Sequence, residues 1–104
     1  MLFRSRLRQE TVDLFEAWER GDEARLEELL FRPLTEEPEF ASLYERLFFE
    51  RNRKMSEKLG ELASDGRTRF VVLGAGHMLG DRGIPALLAG RGFEVEPLPP
   101  GVAP

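Results

Sequence analysis

The only histidine of the chain, His77, closes a glycine motif that directly follows an apolar run. Residues 70–73 read Phe-Val-Val-Leu, and Gly74 and Gly76 come next. A run without polar alternation is typical of a strand covered on both faces, and ligands in open α/β sheets gather beyond the carboxyl ends of such strands. An imidazole there can bind a metal or move a proton near neutral pH. The sequence therefore places His77 where functional sites usually lie. The alternative is a structural histidine whose ring satisfies a backbone group beside the glycine turn.

Arg51 and Asn52 form a second candidate group, on the longest predicted helix. Both fall near an apolar stripe, where an unpaired polar side chain costs several kcal/mol to bury. They need dedicated partners or a solvent-filled cleft, unless Arg51 extends to solvent and Asn52 caps a neighbouring turn. Glu50 is a further candidate, although its spacing from Lys54 also fits an exposed helical ion pair.

A metal site is the next question, because histidine and carboxylates are the ligands left to a chain without cysteine. Catalytic zinc usually takes three protein ligands, and one histidine cannot supply them. Asp81, close to His77 in sequence, can ligate a metal or orient the imidazole, and it can equally be a residue that solvates the turn. The residues alone therefore do not establish a metal site at His77.

Residues 5–64 carry the spacing of helices. In the first helix the apolar stripe includes Trp18, which we expect in the core. Asp22 can cap a second, short helix, and Pro33 is expected to interrupt the chain in a loop. A long third helix is predicted over residues 42–63.

Residues 68–98 predict a βαβ unit that carries the Gly-Ala-Gly-His motif. Its strands are expected at 69–73 and 92–96, around a helix entered through Pro85. Two parallel strands need further strands beside them and cover on both faces. The predicted fold class is therefore α/β, with amino-terminal helices followed by a short parallel βαβ unit, as an incomplete part of a larger fold.

The whole chain, residues 1–104, is expected to be a single partial domain with a flexible tail at 99–104, which is rich in proline and glycine. The net charge of −4 argues against nonspecific nucleic-acid binding, which needs a basic surface. Neither a signal peptide nor a membrane span is visible, so a cytoplasmic location is the default expectation.

Several of these motifs occur in a recognisable order. They are Trp18–Asp22, Glu50–Asn52 with Met55, Gly74–His77 with Gly80 and Gly83, and Gly92–Val95. A single glycine pattern is weak evidence, but this ordered set resembles the carboxy-terminal part of the TraB/PrgY/GumN family, to which the Tiki metalloproteases are related. The resemblance runs from about Thr11 to Leu98.

The resemblance implies a two-part α/β fold with two Gly-x-x-His motifs, of which this chain carries the second. It implies that His77 is a site residue and the ligand of a divalent metal of unknown identity, and that Arg51 and Asn52 line the same cleft. The glycines of the motif are Gly74, Gly76, Gly80 and Gly83. A complete member is expected to be a metal-dependent hydrolase or peptidase, and this chain to lack a full active site. Its implied partner is the missing amino-terminal half or another protein chain.

Two other interpretations remain open. The spacing Gly74-x-Gly76-x-x-x-Gly80, with Glu94 further on, imitates a dinucleotide-binding turn, but Pro85 delays the helix that should face the pyrophosphate. The chain can also be a noncatalytic binding or regulatory module or a truncated remnant, which an exposed sheet edge can pair into a homo-oligomer.

Overall fold

The computed structural model describes residues 2–98, which form a helical chain. The α-helices are α1 (Leu2–Arg20), α2 (Glu23–Glu36), α3 (Ala41–Tyr44), α4 (Glu50–Ala63) and α5 (Ile84–Gly90). Between them lie two 3-10 turns, Pro38–Phe40 and Ala75–Met78, and a π-helical turn, Glu45–Phe49. The principal extents are 54 × 34 × 17 Å. Because a helix with its side chains is about 10–12 Å wide, the molecule is at most two helical layers thick.

The first two helices pack against each other across a tight connection at Gly21, whose φ of +66° suits a helix end in the left-handed region. The predicted cap is confirmed, because Asp22 Oδ1 accepts a hydrogen bond from the Arg25 backbone N–H at 3.1 Å. The buried core of this part comprises Ala17, Leu26 and Leu79. The residue Leu79 belongs to the turn that follows His77, so this core also anchors the site.

Two predictions for the first half are wrong. Trp18 is 62% exposed, because α1 buries Ala17 against α2 and the next residue is rotated by about 100° towards solvent. Pro33 lies inside α2, which continues to Glu36. Proline removes one intrahelical hydrogen bond, but the packing of Leu29, Leu30 and Phe31 on the core keeps this turn helical.

The predicted long helix is confirmed, since α3, the π-helical turn and α4 run continuously from Ala41 to Ala63. The π-helical turn is closed by the backbone N–H of Glu50, which donates to the carbonyl of Glu45 five residues earlier. The most buried side of α4 consists of Asn52, Ser56 and Gly60 at four-residue intervals. The helix therefore presents a small, polar face to the second half of the chain.

The predicted βαβ unit, and with it the α/β fold class, is wrong for residues 2–98, which contain no β-strand. The central helix exists as α5 and has Pro85 in its first turn, but segments 69–73 and 92–96 have no strand partner. Phe70 is 84% and Val72 80% exposed. A strand is stable only when neighbours pair its backbone and a layer covers its apolar face, and the described residues provide neither.

The predicted flexible tail at 99–104 lies outside the described residues. Within the described part of the chain, no helix combines the length and the apolar character that crossing a membrane demands.

The turn between Leu79 and Gly83 gives a test of this fold. Gly83 is buried, and a Cβ added there would lie 2.5 Å from the carbonyl oxygen of Leu79. We expect Gly83→Ala to lower the free energy of unfolding by about 1–3 kcal/mol, because backbone must move to relieve the overlap. Gly90→Ala is the matched control, since nothing lies within 4 Å of its added Cβ. Equal urea midpoints for the two variants would contradict the described turn.

Candidate functional site

The central contact of the site joins Asn52 to His77. The side chain of Asn52 is 1% exposed, and its Oδ1 lies 2.6 Å from His77 Nδ1. At its other end, Nδ2 donates to the backbone carbonyl of Arg82 at 2.9 Å. A carbonyl only accepts, so this partner determines which end of the amide faces His77. The Nδ1 atom must therefore carry the proton, and the neutral ring keeps its lone pair on Nε2.

The backbone holds His77 in the 3-10 turn Ala75–Met78, where its N–H donates to the carbonyl of Gly74 at 3.0 Å. The half-buried imidazole packs against Phe48, with ring centroids 5.4 Å apart. The same phenyl ring lies over Gly76, where an added Cβ would come within 2.7 Å of it. Glycine at this position therefore admits the aromatic ring that packs on the histidine.

The other motif glycines differ in what they do. Gly80 has φ +77°, and a Cβ there would lie 2.6 Å from Glu27 Oε1. Gly83 is required by its close approach to the Leu79 carbonyl. Gly74 has an ordinary φ of −63°, and its added Cβ would make only a normal contact with the His77 ring. Geometry therefore explains three of the four motif glycines and not Gly74.

Arg82 is held on the outer side of the site by the π-helical turn. Its guanidinium donates to both carboxylate oxygens of Glu45, at 3.0 and 2.5 Å, and lies 4.1 Å from the ring centroid of Phe49. The hydrogen bond from Arg82 lowers the pKa of the Glu45 carboxyl below its ordinary value. The residue whose carbonyl orients Asn52 is thus itself fixed by two side chains of the long helix.

The remaining predicted site residues do not join this cluster. Arg51 and Asp81 are exposed, and neither makes a side-chain hydrogen bond or ion pair with the described residues. Glu50 forms an exposed ion pair with Lys54 at 3.5 Å, which is the alternative that its spacing predicted. Of the predicted polar site residues, the structure brings together only Asn52 and His77.

A divalent metal would find one candidate ligand atom here, Nε2 of His77. Residues 2–98 contain no group of three histidine, cysteine or acidic side chains placed to hold a metal ion. Catalytic zinc usually takes three protein ligands, so a metal bound at Nε2 of His77 would need further ligands besides this imidazole.

Sequence reasoning missed Glu45, Phe48, Phe49 and Arg82. The first three carried a usable signal, because Glu45, Phe49 and Asn52 follow one another at intervals of four and three. Phe48 precedes Asn52 by four, so all three lie near the helix face of Asn52. Arg82 carried none, because it reaches Asn52 through a backbone carbonyl that every residue type possesses.

The site is thus an imidazole oriented by a buried amide, presented by a glycine turn against a long helix. The sequence model of the TraB/PrgY/gumN family matches residues 3–97, nearly the whole chain. The chain belongs to the TraB/PrgY/gumN family. Searches of curated proteins and of solved structures returned no match.

The double role of Asn52 can be tested by stability. We expect Asn52→Ala to lower the free energy of unfolding by about 1–3 kcal/mol, because the Arg82 carbonyl and the His77 ring N–H both lose their partner. Arg51→Ala, one residue away on the same helix, is the control and should change it by less than about 0.5 kcal/mol. Urea unfolding of both variants provides the comparison. An equal decrease in the free energy of unfolding in the two variants would mean that the amide is not buried between two partners.

The ion pair between Glu45 and Arg82 predicts a pH dependence. Because the folded-state pKa of Glu45 is lowered, its stabilising contribution is present above pH 4.5, the ordinary value, and is lost as the pH falls through the lowered pKa. The charged residues that line the same surface depression as Glu45 are Glu50, Arg53 and Arg82. We expect the difference in melting temperature between the wild type and Glu45→Gln to shrink in acid. A difference that is unchanged below pH 4.5 would contradict the ion pair.

Proposed function

We propose that this chain contributes one part of a hydrolytic site, in which Nε2 of His77 is the reactive atom. The observation that carries the proposal is the hydrogen bond between Asn52 and His77. A histidine serving only as packing needs no fixed tautomer, whereas one that accepts a proton or binds a metal needs its lone pair aimed at the reactant. The buried amide leaves that lone pair on Nε2.

The chemistry available to this atom is the activation of water. As the oxygen of a water attacks a carbonyl carbon, one of its protons passes to Nε2, and the imidazolium can return that proton to the leaving group. Asn52 Oδ1 accepts the Nδ1–H bond both before and after the transfer. An amide therefore orients the ring without adding a charge to the site.

The family resemblance supports the substrate class, which we propose to be peptides or related acyl compounds. Arg51 lies next to Asn52 in sequence, and its exposed guanidinium is available to contact a substrate charge. A divalent metal, if the complete site uses one, would take the Nε2 lone pair of His77 in place of the water proton and would polarise the scissile carbonyl or the water.

The rest of the proposed site comes from a polypeptide segment outside the described residues, either the amino-terminal half that the resemblance implies or another chain. One imidazole without a second ligand or a second acid–base group is expected to give little or no turnover by itself. A noncatalytic binding module is the second candidate function, favoured by the lack of any three-ligand group among residues 2–98.

The experiment is calorimetric titration of the purified chain with zinc, together with a fluorogenic peptide assay. We expect weak zinc binding that is lost in His77→Ala, because the single ligand atom is removed, and no measurable turnover. Asp81→Ala is the control, since its exposed carboxylate has no described contact with the ring, and it should bind zinc like the wild type. Far-ultraviolet circular dichroism confirms that each variant is folded.

Other results would decide against this account. Zinc-dependent peptide cleavage by the chain alone, abolished in His77→Ala, would show that the site is complete here. A folded wild type that binds no zinc would favour the binding module. Loss of zinc binding in Asp81→Ala as well would place that carboxylate beside the ring and change the proposed ligand set.

A further inference from the structure

The orientation of the Asn52 amide depends on one backbone atom, the carbonyl oxygen of Arg82, which accepts from Nδ2 at 2.9 Å. An amide can rotate by half a turn and exchange its oxygen and nitrogen with almost no change in shape. With the other orientation, Nδ2 would face His77 and would require an unprotonated Nδ1 and a proton on Nε2. The position of the Arg82 carbonyl therefore determines whether Nε2 has a lone pair.

This carbonyl belongs to a turn whose inner side is held by packing and by backbone hydrogen bonds. The inner side is held by the buried residues Leu79 and Ile84, and the Gly83 N–H donates to the Gly80 carbonyl at 3.1 Å. Between these anchors, Asp81 is exposed, and its side chain makes no hydrogen bond or ion pair with the described residues. The outer side of the turn would be unattached without the side chain of Arg82.

The attachment is specific in its geometry. The guanidinium makes a two-point contact with Glu45 and stacks on Phe49, and both residues come from the π-helical turn Glu45–Phe49. About half of each charged side chain is exposed, so solvent screening reduces the stability that the pair adds without removing it. A planar guanidinium that is bound at two points and stacked on an aromatic ring nevertheless has a fixed orientation. The pair constrains position more than it adds stability.

We propose that Arg82 is a positioning residue for His77, which acts through its own backbone carbonyl and is clamped by Glu45 and Phe49. The clamp keeps the carbonyl at Asn52 Nδ2, the amide then presents Oδ1 to the ring, and the ring keeps its proton on Nδ1. The inference rests on the proposed function for the use of Nε2, but the tautomer itself does not depend on any reaction.

The test is the tautomer of neutral His77, measured by long-range ¹H–¹⁵N correlation on labelled protein. The chain has one histidine, so the two ring nitrogens give an unambiguous pattern. We expect a single Nδ1–H tautomer in the wild type and at least a severalfold larger Nε2–H population in Arg82→Ala and in Glu45→Gln. Arg82→Lys keeps the charge without the planar fork, and we expect an intermediate population.

Arg53→Ala is the matched control. Arg53 lines the same surface depression as Arg82, but it pairs with Glu57, also on α4, and makes no side-chain hydrogen bond or ion pair with the described residues of the turn. The control variant should leave the tautomer unchanged. The exchanged pair Glu45→Arg with Arg82→Glu should restore most of the Nδ1–H form. Folded Arg82→Ala and Glu45→Gln proteins that retain the wild-type tautomer would overturn the proposal.

The two proposals fail separately. Zinc binding that does not involve His77 would contradict the proposed hydrolytic role. The predicted tautomer shift in the Arg82 variants would still be expected. An unchanged tautomer in those variants removes the positioning role of Arg82 and leaves the zinc experiment unaffected.

Discussion

The site depends on a single requirement, that an amide buried to the extent of Asn52 must have partners at both ends. One partner is a backbone carbonyl and the other is the imidazole of His77. Because the carbonyl can only accept, it determines the direction of the amide and hence the protonated nitrogen of the ring. The contacts that satisfy this buried polar group therefore also place the ring proton on Nδ1.

Two supports keep these three groups together. The glycine turn brings His77 and the Arg82 carbonyl to the same side of α4, and its close approaches at Gly76 and Gly83 leave no space for a side chain. The π-helical turn supplies Phe48 to the imidazole and Glu45 to Arg82. Widened turns of this kind often occur at functional sites, and this one lies one turn before Asn52.

The helices could be predicted from the sequence because their signals are local. The cap at Asp22, the long helix to Ala63 and the helix entered at Pro85 follow from spacing and from cap or turn residues that act within a few positions. Strands at 69–73 and 92–96 were predicted wrongly, because a strand requires partners that composition cannot guarantee. Trp18 was predicted to lie in the core. It does lie on the predicted helix, but its side chain is rotated by about 100° from the buried side of that helix.

The candidate site was predictable in part for the same physical reason. Asn52 and His77 stood out because a polar side chain on a buried stripe and a lone histidine at a glycine turn both demand an explanation. The contact of Arg82 with Asn52 could not be predicted from its residue type, since it is made by a backbone carbonyl, which every residue has. Family membership, shown over residues 3–97, agrees with the motif order on which the prediction of the family relied.

The most direct test of this account is the tautomer of His77 in the unmodified protein, determined by ¹⁵N resonance at a pH where the ring is neutral. A protonated Nδ1 and a bare Nε2 are the predicted result, because the Arg82 carbonyl fixes the Asn52 amide. A protonated Nε2 would mean that the amide has the opposite orientation or does not contact the ring, and it would contradict the central claim.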